Sequence, residues 1–255
     1  MSGVLDMFSL AGKTAVVSGG AGLFGRQIVE ALAEAGARTI IASRDVAKLE
    51  SFAGELRGRR LKIESRHLDQ ASEQSIEDLA NEIGAVDVLV NNAVSRPMKS
   101  WDDPVASFEE SMRVNATGVF IMTRAFGNQM AARGRGSIIN IGSIQGLVGP
   151  DFSLYEEVGW DIPPDYFFHK GGMVQLARYA AAKLGPKNVR VNCVIPGGFY
   201  NKQDERFVKR YCARTFLGRM AGDTDLKGSI VFLACDASAY VTGSTITVDG
   251  GYTAK

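Results

Sequence analysis

The chain has 255 residues, of which 29 are basic and 28 acidic, and 45% of its residues are hydrophobic. These values are typical of a globular protein with a core of its own, and they exclude a disordered or fibrous chain. The formal net charge of +1 gives no general attraction to nucleic acid or to an anionic membrane surface. We therefore expect any recognition by charge to be local.

Cysteine and histidine are too few and too scattered for a disulfide framework or a zinc site. Cys193, Cys212 and Cys235 lack CxxC spacing, and His67 and His169 are the only histidines. The first residues lack the basic and apolar regions of a signal peptide, and no stretch approaches the ~20 apolar residues of a membrane span. We predict a cytoplasmic protein with reduced thiols and no metal site.

Short apolar runs alternate with amphipathic stretches along the chain. Strands are predicted over residues 13–18, 38–42, 61–66, 86–90, 137–142, 189–195 and 244–248. Helices are predicted over residues 22–36, 45–56, 72–83, 105–133, 164–184, 204–216 and 223–235. Strands separated by helices indicate parallel βαβ units, and continuously apolar strands indicate helices on both faces. The sequence predicts an α/β, doubly wound sheet of seven parallel strands in a single domain over residues 1–255.

Two segments interrupt this alternation. Residues 147–165 carry acidic and aromatic side chains and no basic one, whereas residues 200–219 carry six basic side chains. Long irregular segments in compact domains are often functional. Three interpretations remain open: the basic groups select an anionic substrate, they pair with the acidic segment, or they form a solvated helix face.

A glycine-rich turn follows the first predicted strand. It reads Ser18-Gly19-Gly20-Ala21-Gly22-Leu23-Phe24-Gly25 and matches GxGxxG at Gly20, Gly22 and Gly25. Glycines allow the tight turn and the close approach of a pyrophosphate, and the following helix directs its N–H groups at the anion. This strand–turn–helix context predicts a Rossmann-like dinucleotide site, the alternative being a purely structural turn.

The end of the second predicted strand bears on the choice of dinucleotide. An acidic residue there would bind the ribose 2′-hydroxyl of NAD, but this chain has Ser43 followed by Arg44 and Asp45. A guanidinium can bind a 2′-phosphate in bidentate geometry. NADP is therefore favoured over NAD, unless Arg44 is a solvated charge and Asp45 only caps its helix.

Taken with residues further along, the sequence resembles the compact branch of the short-chain dehydrogenase/reductase family over residues 10–251. The resemblance rests on the glycine-rich turn and on Asp69, Asn91-Asn92-Ala93, Asn115, Ser143, Tyr166, Lys170, Pro196-Gly197 and Val248-Asp249-Gly250-Gly251. It implies an NAD(P)-dependent enzyme that transfers a hydride between a secondary alcohol and a ketone.

The resemblance also implies how the cofactor is bound. Asp69 would recognise the adenine, Pro196 and Gly197 would face the nicotinamide, and the backbone near Phe199 would bind its carboxamide. The segment 91–93 would support the sheet and pass beside the ribose. The implied cofactor-binding set is Ser18, Gly19, Gly20, Gly22, Leu23, Phe24, Gly25, Ser43, Arg44, Asp69, Asn91, Asn92, Ala93, Tyr166, Lys170, Pro196, Gly197 and Phe199.

Four residues form the predicted catalytic set: Asn115, Ser143, Tyr166 and Lys170. Tyr166 and Lys170 are four residues apart and share one helix face, so the ammonium can lower the tyrosine pKa from its usual value of about 10. Ser143 would donate to the substrate oxygen, and Asn115 would hold a water that links Lys170 to solvent.

The catalytic tyrosine lies unusually far from Ser143. The spacing of 23 residues is about twice that of the family, which predicts an insertion over residues 147–165 near the active site. Tyr155 has the usual spacing but no lysine four residues later, so Tyr166 is preferred. His169 is left with two interpretations, contact with the site or a position facing elsewhere. Residues 200–219 correspond to the family's substrate lid.

The predicted substrate is a small molecule, a sugar, sugar acid or related polar compound that can be anionic. One alternative is a 3-oxoacyl thioester reductase. Others are a lyase or epimerase with a tightly held nicotinamide, and a regulator that binds nicotinamide nucleotides without turnover. The resemblance implies that the long predicted helices over 105–133 and 164–184 pair across a two-fold axis, which favours a homo-oligomer, a dimer or tetramer.

Overall fold

The computed structural model describes residues 3–255, and among them seven parallel strands form one sheet. The strand order is 3-2-1-4-5-6-7. The strands are β1 (Thr14–Ser18), β2 (Arg38–Ser43), β3 (Ile63–His67), β4 (Val88–Asn91), β5 (Gly136–Ile141), β6 (Val189–Pro196) and β7 (Thr245–Val248). This confirms the predicted doubly wound α/β fold, and the order reverses between β1 and β4, where such sheets bind ligands.

Helices cover both faces of this sheet. They are α1 (Leu23–Glu34), α2 (Val46–Gly58), α3 (Glu73–Ile83), α4 (Val105–Met112), α5 (Val119–Arg133), α6 (Pro164–Leu184), α7 (Glu205–Cys212) and α8 (Lys227–Ala234). Val16 packs into the core beneath α3, α5 and α6, and its neighbour Val17 packs into the core beneath α1, α2 and α8. Because successive strand residues point to opposite faces, burial on both faces explains why these strands are continuously apolar.

The helix predicted over residues 105–133 is interrupted. A π-helical segment, Arg113–Gly118, separates α4 from α5 and contains Asn115. Gln70 donates from Nε2 to the Val114 carbonyl at 3.0 Å, and a side chain at Gly118 would collide with the Gln70 carbonyl. This close approach explains the glycine, and π-segments within helices frequently mark functional sites.

Two further observations concern what the described residues contain. Within residues 3–255, no helix is both long and apolar enough to cross a membrane. In the same range, no three His, Cys, Asp or Glu side chains lie close enough together to hold a metal ion, and the cysteines are free thiols.

Candidate active site

A cleft of about 700 Å³ opens at the carboxyl ends of the strands. Loops that follow β1 to β6 all contribute to its walls, so it spans the point where the strand order reverses. Sixteen of the predicted site residues line it: Gly19, Gly22, Leu23, Phe24, Gly25, Ser43, Arg44, Asp69, Asn92, Ala93, Ser143, Tyr166, Lys170, Pro196, Gly197 and Phe199. The structure therefore gathers most of the predicted cofactor and catalytic residues around one space.

The glycine-rich turn is shaped by close backbone contacts. Gly19 has a φ of +66°, and a Cβ there would lie 2.9 Å from the Cα of Ala93. A Cβ on Gly25 would collide with the Gly19 carbonyl. Helix α1 begins with Gly22 as its N-cap and no side-chain capping bond, so its first N–H groups are free to bind a pyrophosphate. The turn thus fits a dinucleotide.

Ser18, Gly20 and Asn91, all members of the predicted cofactor set, lie behind the cleft wall. The Ser18 hydroxyl accepts the backbone N–H groups of Asn92 and Ala93 at 3.1 and 3.0 Å. Asn91 is buried and donates to Asn140 at 2.8 Å, across β4 and β5. The side chains of Ser18 and Asn91 hold the strand ends in register, and the place of these three residues in the cofactor-binding set stays a prediction.

The second strand ends with basic side chains at the cleft. Arg44 is exposed there, and Lys48, from the first turn of α2, lines the same wall. Asp45 accepts the Lys48 backbone N–H at 2.9 Å and so caps α2. Sequence analysis missed Lys48, although a basic residue one helical turn beyond Arg44 was the available signal.

Lys170 is buried in the wall of the cleft. Its side chain is 3% exposed, and its ammonium donates to the Ile141 carbonyl at 2.6 Å and lies 5.6 Å from the centroid of the Tyr166 ring. Burial lowers the pKa of Lys170, and the nearby Tyr166 opposes that effect. The predicted one-turn pairing on α6 is therefore present.

Tyr166 has an environment that favours loss of its proton. Burial raises its pKa, but the positive charges of Lys170 and Arg96 and contacts with Ser143 and Arg96 outweigh burial and leave the pKa lowered. The Arg96 guanidinium carbon lies 4.2 Å from the centroid of the ring. A tyrosine with a lowered pKa is suited to proton exchange with a substrate oxygen.

Ser143 follows β5 and begins a short 3₁₀ turn. It is 8% exposed, and its hydroxyl accepts the Gln145 backbone N–H at 3.2 Å. A Cβ on Gly146 would lie 2.6 Å from the carbonyl of Lys170, so glycine allows this turn to pack directly on α6. This contact places Ser143 beside the Tyr–Lys pair.

Asn115 has a hydrogen-bonding pattern that the sequence did not reveal. Its amide accepts the Ser95 backbone N–H at 2.9 Å and donates to the Ser95 carbonyl at 2.7 Å and the Ser111 hydroxyl at 3.0 Å. Ser111 in turn donates to the buried carboxyl of Asp165. Asn115 does not line the cleft; it anchors the loop that carries Arg96. Its implied role in holding a water stays a prediction.

His169 contacts Tyr166 instead of facing elsewhere. It is 3% exposed, and its ring meets the Tyr166 ring edge-on, with 5.1 Å between the centroids. Burial, helped by the charges of Lys170 and Arg96, lowers the pKa of His169 to about 3. The imidazole is therefore neutral near physiological pH and adds no third charge beside Tyr166.

The basic residues of 200–219 are largely engaged with acidic groups. Arg210 pairs with Glu157 at 2.9 Å and Arg214 pairs with Asp151, so both cross to the acidic segment. Arg206 pairs with Asp204 at 2.9 Å and Arg219 with Asp225 at 2.6 Å. Pairing with the acidic segment, the second of the three interpretations, thus holds for Arg210 and Arg214.

The cleft and its tyrosine–lysine pair define the class of the protein, an NAD(P)-dependent oxidoreductase that acts on CH–OH groups. Within that class the chain belongs to the short-chain dehydrogenase/reductase family, which confirms the resemblance seen in the sequence. A family model described as enoyl-(acyl carrier protein) reductase matches residues 20–253.

Similar proteins cover nearly the whole chain. Galactitol 2-dehydrogenase (L-tagatose-forming) of Cereibacter sphaeroides is 32% identical, and gluconate 5-dehydrogenase of Gluconobacter oxydans is 30% identical, each over 97% of both chains. A crystal structure of gluconate 5-dehydrogenase from Burkholderia cenocepacia, in complex with NADP and tartrate, superposes with a TM-score of 0.89 at 30% identity, covering 99% of this chain and 100% of the other.

Proposed function

We propose that this protein interconverts a secondary alcohol and a ketone on a sugar acid or a related small polyhydroxylated anion. The observation that carries the proposal is Arg96, whose guanidinium lies over the Tyr166 ring at the cleft. Within residues 3–255, Arg96 forms no ion pair. A guanidinium without an acidic partner beside the reacting group can bind a carboxylate in bidentate geometry. Relatives that act on gluconate and a related structure that holds tartrate agree with this assignment.

The side chains around this point have complementary roles in the proposal. Tyr166 exchanges a proton with the substrate oxygen, and Ser143 donates a hydrogen bond to the same oxygen. Lys170 keeps the tyrosine pKa low through its charge. A bound nicotinamide nucleotide supplies or accepts the hydride. Arg96 orients the substrate through its anionic end.

A panel of substrates tests this proposal on the unmodified protein. It comprises sugar acids, their neutral polyols of equal carbon number, the corresponding keto forms and a 3-oxoacyl thioester, with nicotinamide absorbance as the readout. We expect kcat/KM for the acid to exceed that for the matched polyol by about tenfold or more, since one charged hydrogen-bonding pair is worth about 1.5–3 kcal/mol. A preference for the thioester supports the reductase alternative. Substrate conversion without net cofactor change indicates a lyase or epimerase, and nucleotide binding without any turnover indicates a regulator.

We propose that NADP is preferred over NAD, because Arg44 and Lys48 both line the cleft beyond β2. Replacing Arg44 with Ala is expected to raise KM for NADPH by about tenfold while changing KM for NADH little, since only the former carries the 2′-phosphate. Steady-state kinetics with both cofactors measures this. Lys187→Ala removes an exposed charge just before β6, at the end of the strands opposite the cleft, and is the control. Equal losses with both cofactors, or a wild type that prefers NADH, would contradict the assignment.

We also propose that the protein is a homo-oligomer, a dimer or a tetramer. Helices α4 and α6 are neighbours and leave Val105, Phe168 and Tyr179 exposed by 74, 66 and 68%. Large apolar side chains grouped on adjacent helices are typical of an interface between copies of one chain. Light scattering at micromolar concentration is expected to give two or four times the chain mass of 27.4 kDa. The mass of a single chain would refute this proposal.

A further inference from the structure

Two ion pairs join residues 147–165, here called the insert, to residues 200–219, here called the lid, over the cleft. The guanidinium of Arg210 pairs with Glu157 at 2.9 Å and donates to the carbonyls of Glu156 and Ser153 at 3.0 and 3.3 Å. The second ion pair joins Arg214 to Asp151. The end of α7 and the turn that follows it thus contact a segment that the sequence marks as an addition to the family pattern.

All three nitrogens of the Arg214 guanidinium are engaged. Its Nε faces Asp151, its Nη2 donates to the Ser153 hydroxyl at 2.6 Å and its Nη1 donates to the Arg210 carbonyl at 3.0 Å. The side chain is 29% exposed, so solvent screens these bonds only in part. Hydrogen bonds from Ser153 and then from Arg214 lower the pKa of Asp151, so the carboxylate is charged at neutral pH.

A continuous row of aromatic rings lies beside these two ion pairs. Phe207 of the lid lies 5.3 Å from Tyr155 of the insert and 5.9 Å from Tyr211, measured between ring centroids. Tyr211 stacks on Tyr252 at 5.0 Å and accepts the backbone N–H of Gly198, just after β6. These four rings, Tyr155, Phe207, Tyr211 and Tyr252, are the aromatic wall.

The aromatic wall and the catalytic groups face a single space. All four rings line the same cleft as Tyr166, Ser143 and Arg96. The charge of Arg96 acts on the hydroxyl of Tyr155 as well as on that of Tyr166. Aromatic faces pack well against C–H groups, and tyrosine hydroxyls at their edges can bond to polar substituents. A substrate between them meets an anion-binding group on one side and rings on the other.

We infer that Arg214 is a specificity-determining positioning residue, which holds the insert against the lid and thereby fixes the aromatic wall against the carbon skeleton of a polyhydroxylated acid. This inference rests on the proposed function for the identity of the substrate. In this inference the aromatic wall recognises the size and shape of the substrate, while Arg96 recognises its charge. Arg214 itself touches neither the substrate nor the reacting atoms.

The test compares Arg214→Met with Arg206→Met. The control lies in the same lid, on α7, and loses a similar ion pair, but Arg206 bonds only to Asp204 within the lid. For the best substrate of the wild-type panel, we expect Arg214→Met to raise KM by about tenfold with a smaller change in kcat, because a loosened wall weakens substrate positioning. Its discrimination against a shorter hydroxy acid, such as tartrate, falls by a similar factor. Arg206→Met keeps both values, and KM for the cofactor is unchanged in both variants.

Trp160 provides a readout that does not depend on activity. Its ring lies 5.3 Å from Phe207, and Trp101 is the only other tryptophan. In a Trp101→Phe background, acrylamide quenching of Trp160 is expected to increase with Arg214→Met and to stay the same with Arg206→Met. If Arg214→Met does not fold, Asp151→Asn removes the same charge pair with little change of shape and takes its place.

Increased quenching with unchanged substrate discrimination would overturn the inference, because the aromatic wall would then be loosened without any effect on substrate selection. Unchanged quenching in both Arg214→Met and Asp151→Asn would also overturn it. The KM and the discrimination of each variant are compared on whichever substrate the wild type prefers. A failure of the proposed function therefore shows in the wild-type panel, and a failure of this inference shows in the variants.

Discussion

Replacing Tyr166 with Phe is expected to lower kcat by about 10²–10⁴-fold, the range typical of a lost general acid or base. The change removes only the hydroxyl, so the ring contacts with Arg96 and His169 remain possible. Cofactor affinity should therefore stay near that of the wild type. Single-turnover kinetics, together with a nucleotide-binding titration, separates the chemical step from binding.

Tyr155→Phe is the matched control for this experiment. Tyr155 has the spacing from Ser143 that is usual in the family, but it lies in the aromatic wall, and burial raises its pKa where that of Tyr166 is lowered. Its loss should change KM more than kcat. If Tyr155→Phe were the inactive variant and Tyr166→Phe the mild one, the insert would have been placed on the wrong side of the catalytic tyrosine.

The fold was predictable because its signals are local. Val16 and Val17 are both completely buried, and each contributes to an apolar run that can be recognised without knowing its neighbours. The glycines of the turn have a local cause, since Gly19 and Gly25 lie where a Cβ would collide with nearby backbone. Patterns of this kind depend on residues a few positions apart, which is the range that sequence analysis covers well.

The electrostatics of the site were not predictable in the same way. No motif or spacing in the sequence connects Arg96 with Tyr166, yet the structure places its guanidinium over the Tyr166 ring from a different element. Arg214 and Asp151 lie 63 positions apart, so composition could count their charges but could not pair them. Asn115 likewise bonds to Ser95 from within a π-helical segment that the sequence pattern did not indicate. Such juxtapositions follow from tertiary packing and leave no periodic trace in the sequence.

Arg96→Gln separates recognition of the substrate from control of the tyrosine pKa. We expect kcat/KM for an anionic substrate to fall by about 10–100-fold, since a charge-assisted hydrogen bond contributes about 1.5–3 kcal/mol. A neutral polyol of equal carbon number has no carboxylate for Arg96 to bind, so its kcat/KM should change much less. Lys187→Gln removes an exposed charge outside the cleft and serves as the control.

The same variant should also change the pH dependence. The positive charge of Arg96 is one of the causes that lower the Tyr166 pKa, so its removal must raise that pKa. In the direction of alcohol oxidation Tyr166 acts after losing its proton, and activity therefore rises with pH through this pKa. The rising limb of the profile should move to higher pH in Arg96→Gln, with the neutral substrate as much as with the anionic one, and should stay in place in Lys187→Gln.

These two effects have different physical origins and can fail independently. A pH shift without loss of anion preference would mean that Arg96 acts on Tyr166 alone and that another group binds the carboxylate. Loss of anion preference without a pH shift would mean that the guanidinium turns away from the ring when it binds substrate. If neither effect appeared, Arg96 would be only a surface charge, and the reason for expecting an acid as substrate would disappear with it. Both effects together require one guanidinium to face the substrate and the tyrosine at once, as its position 4.2 Å above the Tyr166 ring allows.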